Sequence, residues 1–153
     1  MSSRLDKHFW FTSLLAVMAG CGGGTPDVPV GDAAENIRQL ALAYLDYAAG
    51  HKGVGPADQA ALAKILASTA GVSADEAKAR FTSPRDKKPY VIRWKQRPMD
   101  PAVGPDPPKA RLLIYEQDGL DGTRYTADGQ LAIKEMSDED IRETYPEFEQ
   151  AGG

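Results

Sequence analysis

Between residues 33 and 81, apolar residues recur at the three- and four-residue intervals of an α-helix. Within residues 33–49 the apolar positions recur three and four residues apart and share one face of a helix: Ile37, Leu40, Ala41, Tyr44, Leu45 and Ala48. This spacing predicts an amphipathic helix over 33–49. Asp32 and Glu35 have the spacing of a capping box, and Gly50 is a typical helix end.

Two shorter helices are predicted after this one. A second helix over 57–70 presents Leu62, Ile65 and Leu66 as its apolar face. A third helix over 74–81 has Ser73 and Glu76 in the positions of a second capping box. The predicted helical region is therefore 33–81.

After Pro84 the period changes from 3.6 residues to two, which indicates β-strands. Strands are predicted over 89–95, 110–117, 123–127 and 130–136, so the sheet occupies 89–136. Asp128-Gly129 predicts a two-residue hairpin loop in which both residues have positive φ. Ser137 is expected to cap a short C-terminal helix over 138–145.

Helices that precede a run of strands indicate one α+β domain, here 33–149, with the helices on one face of a four-stranded antiparallel sheet. Arg93, Lys95 and Arg124 predict that the opposite face is more polar. Residues 96–109 contain five prolines and predict an exposed, stiff excursion between two strands.

The composition narrows the classes of function. The chain has 153 residues and a formal net charge of −4, which argues against a nucleic-acid partner because such proteins present a basic face. Its only cysteine is Cys21, which excludes an internal disulfide and a cysteine-rich zinc site.

The N-terminus has the organisation of an export signal. Arg4 and Lys7 precede an apolar run, Phe9–Ala19, that is too short to cross a hydrocarbon core of about 30 Å. The run ends in Met18-Ala19-Gly20-Cys21, and a segment rich in Gly and Pro follows it up to residue 32.

The Met18–Cys21 segment resembles the lipobox of bacterial lipoproteins. The resemblance implies that residues 1–20 are a signal peptide, that Cys21 receives a diacylglycerol and an N-terminal acyl chain such as palmitate, and that 21–32 is a flexible tether. It places the protein in the bacterial cell envelope, bound to membrane lipid through Cys21 and facing the periplasm or the exterior. Gly22 stands where Asp marks inner-membrane retention in some bacteria, which favours the outer membrane. The alternative is an ordinary secretory signal with an unmodified Cys21.

The folded region is similar in two places to the pseudopilins of type II secretion and related prepilin-like proteins. The similar positions in the first helix and the loop after it are Asn36, Gln39, Leu40, Tyr44, Tyr47, Gly53 and Pro56. The second place is Ser83–Ile92, the turn that introduces the first strand. The resemblance implies a pseudopilin-like head. The chain departs from the family because a leader ending at Cys21 replaces the long uncleaved apolar helix through which pseudopilins assemble.

Candidate chemistry is sparse. His51 is the only histidine after the leader, and no serine lies in a nucleophile elbow, so no catalytic residues are assigned. Asp118, Asp121 and Asp128 adjoin glycines in two neighbouring turns and are candidate calcium ligands, because some pseudopilins bind calcium in their sheet loops. Ordinary turn chemistry is the alternative explanation of these residues. No other metal and no other cofactor is expected.

These features predict a non-enzymatic lipoprotein with a binding or structural role in the envelope, as an accessory to a secretion or pilus-like assembly and with envelope proteins as partners. Two alternatives stay open. A small envelope hydrolase would need two converging carboxylates, one with a raised pKa. A periplasmic small-ligand carrier would need an apolar pocket of several hundred cubic ångströms.

Overall fold

A computed structural model describes residues 32–102 and 105–151. The predicted signal peptide, Cys21 and the tether up to residue 31 lie outside the described residues. The helices are α1 (Asp32–Gly50), α2 (Gln59–Ala70), α3 (Ala74–Ala79) and α4 (Asp138–Thr144), followed by a 3₁₀ helix, Pro146–Ala151. The strands are β1 (Val91–Ile92), β2 (Leu112–Tyr115), β3 (Thr123–Asp128) and β4 (Ile133–Ser137).

The α+β class is confirmed, with helices first and a four-stranded antiparallel sheet after them. The strands are hydrogen-bonded in the order β1-β2-β3-β4, so each strand pairs with its neighbour in sequence. The connections from β2 to β3 and from β3 to β4 are short, whereas residues 93–111 separate β1 from β2.

The apolar face predicted for α1 is buried against α2, β2 and β3. Ile37, Leu40, Ala41 and Tyr44 have no exposed surface, and Ala48 is buried beside them. Burial of a large apolar side chain contributes about 1.5–3 kcal/mol, so this stripe fixes α1 on the sheet. Asp32 is the first residue of α1, one position earlier than the predicted start.

Caps define the next two helices. The Asp58 carboxylate accepts a hydrogen bond of 2.9 Å from the Ala61 backbone N–H, so α2 begins at residue 59 instead of 57. Gly71 ends α2 in the left-handed conformation, with φ of 64°. The predicted capping box of Ser73 and Glu76 is confirmed, since each residue's side chain accepts the backbone N–H of the other.

Strand β1 is much shorter than the predicted 89–95. The Arg93 N–H still donates to the Leu113 carbonyl oxygen of β2, and beyond it the chain binds α1 and the loop after α1. The Tyr44 hydroxyl contacts the carbonyl oxygens of Arg93 and Gln96, and the Lys95 N–H donates to the Pro56 carbonyl oxygen.

The predicted two-residue hairpin loop at Asp128-Gly129 is wrong. Four residues, 129–132, separate β3 from β4, and the left-handed residue in this turn is Leu131, with φ of 61°. Glycine is required at position 129 by close packing and not by a positive φ. A Cβ there would lie 1.8 Å from the Pro98 carbonyl oxygen, so the glycine permits close backbone approach.

The face of the sheet opposite α1 is not simply polar, which corrects the prediction from Arg93, Lys95 and Arg124. The helix α4 and the 3₁₀ helix cover it with a second apolar cluster: Leu112, Tyr115, Met136, Ile141 and Tyr145. Arg93 and Arg124 hold this C-terminal segment in place. Arg93 donates to the Glu147 carbonyl oxygen at 2.9 Å, and Arg124 donates two hydrogen bonds to the Asp138 carboxylate at 2.6 and 3.1 Å.

The proline-rich excursion is closed at its base by backbone hydrogen bonds. The Arg111 N–H donates to the Pro98 carbonyl oxygen, and the Asp100 N–H donates to the Lys109 carbonyl oxygen, both at 2.8–2.9 Å. Within the described residues, none of the helices has the length and apolar character that a membrane span requires.

Candidate functional site

The residues first considered for catalysis lie apart in the described structure. His51 is exposed, its Nδ1 donates to the Tyr47 carbonyl oxygen at 2.7 Å, and its ring stacks on the Tyr47 ring at 3.8 Å. Ser73 and Ser137 are helix caps. These contacts give His51 a helix-terminal role and do not place it beside a nucleophile.

The three calcium candidates have separate contacts. Asp118 forms an ion pair with Lys88, and Asp121 is an exposed turn residue with φ of 52°. Asp128 is buried; it accepts two backbone N–H groups of the β3–β4 turn and the Tyr145 hydroxyl. In residues 32–102 and 105–151, no group of three or more metal-ligating acids, histidines or cysteines converges.

A buried polar cluster that the sequence did not reveal joins the 83–89 turn to the sheet. Ser83 and Glu116 are completely buried. The Glu116 carboxylate accepts hydrogen bonds from the Ser83 hydroxyl at 2.5 Å and from the Tyr125 N–H at 2.9 Å. One guanidinium nitrogen of Arg85 lies 3.5 Å from the same carboxylate. Two hydrogen-bond donors and one nearby cation thus face the Glu116 carboxylate, although this nitrogen of Arg85, Nη1, makes no hydrogen bond.

Arg85 connects this cluster to the surface. Its guanidinium forms an ion pair of 2.8 Å with Glu135, donates to the Thr123 hydroxyl at 3.3 Å and lies 4.4 Å from the centroid of the Tyr125 ring. Burial works against the charged guanidinium, but the carboxylates of Glu116 and Glu135 outweigh it and raise the pKa of Arg85. Arg85 therefore stays cationic and joins the 83–89 turn to β3 and β4 through Thr123 and Glu135.

The turn residues Asp86 and Lys88 complete this junction. The Asp86 carboxylate accepts the backbone N–H groups of Asp118 and Gly119, each at 3.0 Å, and Lys88 pairs with the Asp118 side chain. Burial disfavours the charged Asp86, yet these N–H donors prevail and lower its pKa. The buried members of the junction, Ser83 and Glu116, bind other groups of the protein, and its partly exposed charges are paired with one another, so its contacts are structural.

A second set of contacts joins the loop after α1 to the segment after β1. Tyr44 donates its hydroxyl to the Arg93 carbonyl oxygen at 2.7 Å, and burial raises the pKa of its phenol to about 12. Gly55 lies directly against this phenol and donates its N–H to the Gln96 carbonyl oxygen at 2.9 Å. These contacts give a physical reason for Tyr44 and Pro56 in the sequence pattern, because Pro56 is buried and accepts the Lys95 N–H. Gly53 fits the pattern because it has a positive φ of 76° and donates its N–H to the Ala48 carbonyl oxygen.

Three cations lie on the surface of this loop junction, and we refer to them as the cationic edge: Lys52, Lys95 and Arg97. All three are exposed. The backbone of residue 53 adjoins the Arg97 guanidinium, since a Cβ on Gly53 would lie 3.6 Å from Arg97 Nη1. The Lys95 N–H is bonded to the Pro56 carbonyl oxygen, which holds the same loop against the segment 93–97.

An open groove of about 430 Å³ adjoins the cationic edge, and we call it the proline groove. Its lining residues are Arg97, Met99, Asp100, Pro101 and Pro108. The surface they present is almost entirely apolar. Arg97 therefore belongs both to the cationic edge and to the rim of the groove.

Two further depressions are present. One, of about 380 Å³, lies on the other side of Asp100 and is lined by polar and proline residues up to Arg111. The other, of about 210 Å³, lies between α1 and α2 and includes Leu42, which is 38% exposed. Of these surfaces, the proline groove with the cationic edge combines an apolar floor with unpaired charge, and it is the candidate binding site.

Comparison of the chain with protein-family models, with curated proteins and with solved structures gives no match.

The sequence did not predict this site because its parts are distant in the chain. Lys52 and Lys95 are separated in the chain by α2, α3 and β1, and the hydrogen bonds of Gly55 and Pro56 join the loops that carry them. The prolines from 98 to 108 predict an exposed segment, but they do not indicate which part of the molecule lies beside it.

Proposed function

We propose that this protein is a lipid-anchored lipoprotein of the bacterial cell envelope whose head has a non-enzymatic binding or structural role. The observation that carries the proposal is the order of segments along the chain. A short apolar leader ends at Met18–Cys21, a Gly- and Pro-rich tether follows, and helix α1 begins at Asp32. Cys21 is the point of lipid attachment.

Two or more acyl chains on Cys21 account for stable anchoring, since each buried CH₂ contributes about 0.8 kcal/mol and a single chain binds only marginally. The leader contributes a net charge of +1 through Arg4, Asp6 and Lys7, so the remaining chain carries −5. An acidic head is not attracted to anionic lipid. Membrane attachment thus depends on the lipid and not on the protein surface.

The contacts of the described residues support a role without catalysis. The buried carboxylate of Glu116 is compensated by Ser83, Tyr125 and Arg85 and has no open side toward a cleft. Where the pKa of a described carboxyl group moves, it moves downward, as at Asp86 and Asp138. A general acid of a carboxylate hydrolase requires the opposite direction.

The pseudopilin-like build remains part of the proposal. A long amphipathic α1 packed on an antiparallel sheet is the arrangement that the resemblance implies, and Tyr44, Gly53 and Pro56 have defined structural roles in it. We infer a head that works as an accessory of a secretion or pilus-like assembly, attached by lipid instead of by an apolar helix.

The test is metabolic labelling with radioactive or clickable palmitate in the native host, comparing wild type with Cys21→Ala. We expect label and membrane fractionation for wild type and neither for the variant. Mass spectrometry of the mature wild-type protein is expected to show a modified N-terminal cysteine. Equal labelling of both proteins, or a mature chain that still begins at Met1, would contradict the anchor.

A second experiment addresses the absence of catalysis. The purified full-length protein in mild detergent is incubated with peptidoglycan sacculi and with chromogenic glycosides, and the released product is quantified against a detergent blank. We expect no release above the blank. Turnover that scales with protein concentration would favour the hydrolase alternative.

A further inference from the structure

The cationic edge is held by two backbone hydrogen bonds between its loops. The Gly55 N–H donates to the Gln96 carbonyl oxygen, and the Lys95 N–H donates to the Pro56 carbonyl oxygen, both at 2.9 Å. Lys52 and Lys95 have left-handed backbone, with φ of 58° and 59°, as have Lys87, Asp121 and Leu131 in other turns. The two hydrogen bonds therefore fix the backbone that carries these cations.

These cations are not neutralised within the described residues. None of the ion pairs formed by the described residues includes Lys52, Lys95 or Arg97. One carboxylate, Asp100, lines the same groove as Arg97, and it pairs with Arg111.

The charge of the edge is opposite to that of the molecule. The chain without its leader carries −5, so a local concentration of positive charge here directs an anionic partner to one surface. The proline groove beside it is apolar, with Met99, Pro101 and Pro108 next to Arg97. A flat layer of lipid headgroups matches the charge but not the groove, whereas an acidic peptide segment with an apolar side chain matches both.

The position of the edge also favours a protein partner. It follows the C-terminal end of α1, and a helix of 19 residues is about 28 Å long. The tether joins the opposite end of α1, so the edge lies at the end of the head remote from the point of attachment.

We propose that the cationic edge and the proline groove together bind an acidic segment of an envelope protein, with an apolar residue in the groove and carboxylates on Lys52, Lys95 and Arg97. This inference depends on the proposed binding role. Binding through the charge and the groove does not require lipidation of Cys21, and only the distance of the edge from the membrane follows from the anchor.

The test measures binding of a fluorescent peptide, Asp-Glu-Leu-Pro-Glu-Glu, to the full-length protein in mild detergent by anisotropy. Its control is the amide peptide, Asn-Gln-Leu-Pro-Gln-Gln. We expect the acidic peptide to bind at least tenfold more tightly, and its Kd to rise with added NaCl because exposed charges are screened.

Protein variants localise the binding. Changing the edge residues, Lys52→Gln with Lys95→Gln and Arg97→Gln, is expected to weaken binding at least tenfold. A matched variant with Lys64→Gln, Lys78→Gln and Lys134→Gln removes the same charge from other exposed positions and is expected to change Kd less than twofold. Met99→Ser keeps every cation and is expected to weaken binding about threefold or more through the groove alone.

Several outcomes would overturn the inference. They are equal affinity for the two peptides, equal loss in the two triple variants, and edge-dependent binding to phosphatidylglycerol vesicles without peptide binding, which would make lipid the partner. The result is separable from the anchor hypothesis, because palmitate labelling can fail while peptide binding succeeds, and the reverse.

Discussion

The Ser83 hydroxyl donates a hydrogen bond of 2.5 Å to the Glu116 carboxylate, and both side chains are completely buried. The two residues are 33 positions apart in sequence. Their contact joins the turn that follows the helical half of the chain to the end of β2, and Arg85 supplies the compensating charge. The helical and sheet halves of the fold are thereby connected by a polar contact as well as by the apolar core.

Loss of this contact is expected to destabilise the fold. Ser83→Ala leaves a buried carboxylate oxygen without its donor, at a cost of about 1–3 kcal/mol in the free energy of unfolding. Glu116→Gln leaves Arg85 without its buried partner, and we expect a loss of about 2–4 kcal/mol. Urea denaturation followed by circular dichroism measures both. Ser68→Ala, an exposed serine of α2, is the control and should change stability by less than about 0.5 kcal/mol. A similarly small effect of both buried variants would contradict a locking role.

Gly55→Ala is expected to be more damaging than its small size suggests. The new Cβ would lie 2.0 Å from the Tyr44 hydroxyl oxygen, so the phenol must move and give up its hydrogen bond to Arg93. We expect a loss of about 2–4 kcal/mol, measured by the same denaturation experiment. Gly50→Ala is the matched control, because a Cβ at Gly50 meets nothing within 4 Å. Equal stabilities of the two alanine variants would show that Gly55 does not hold the Tyr44 phenol in place.

The stability of the head is expected to fall in acid through Asp138. Its two hydrogen bonds from Arg124 lower the pKa of this carboxyl group in the folded state. A carboxyl group whose pKa is lower in the folded state than in the unfolded state stabilises the fold. This stabilisation is complete above the unfolded pKa of about 4 and is lost as the pH falls through the folded pKa. The Tm of wild type should therefore drop more steeply from pH 5 to pH 2 than that of Asp138→Asn. Glu139→Gln, at the next and exposed position, serves as control and should follow the wild-type curve. Parallel curves for wild type and Asp138→Asn would refute the assignment.

Calcium is expected to have no effect on the folded domain. Asp118 is paired with Lys88, and Asp128 is committed to its own turn and to Tyr145, so binding an ion would break existing contacts. The Tm in 1 mM calcium and in excess chelator should agree within about 1 °C, because a ligand that binds only the folded state raises Tm. A saturable rise of several degrees with calcium would restore Asp118, Asp121 and Asp128 as ligands.

The helical half of the fold was predictable because its signals are local. Ile37, Leu40 and Tyr44 recur at helical spacing, and Ser73 with Glu76 forms the capping box that their separation indicates. Such patterns depend on neighbours within one or two turns. The element order and the α+β class follow from them without knowledge of tertiary contacts.

The parts that were missed depend on distant contacts. The shortening of β1 results from Tyr44, which lies 49 residues before the Arg93 carbonyl oxygen that it binds. The four-residue turn after Asp128 is closed by the Asp128 carboxylate, which accepts the Gln130 and Ala132 N–H groups. Asp-Gly alone favours a two-residue turn, and the sequence does not show that the Pro98 carbonyl oxygen lies against Gly129.

The second core was missed for a related reason. Ile141 and Tyr145 are four residues apart, and they are the two core residues that α4 and its C-cap bring to the sheet. A single pair of apolar positions is too weak a pattern to indicate that a short helix covers a sheet. Arg124 was read as a sign of a solvent-facing surface, whereas it binds Asp138 at the start of that helix.

The backbone hydrogen bonds that close the excursion at Pro98 and Arg111 have a practical consequence. The described residues of the excursion, 98–102 and 105–110, belong to none of the four strands, so we expect that a change in their number leaves the register of β2 unchanged. The excursion is therefore a suitable place for an inserted probe. A fluorophore or affinity epitope inserted there would report on whatever approaches the neighbouring surface while the core keeps its native packing.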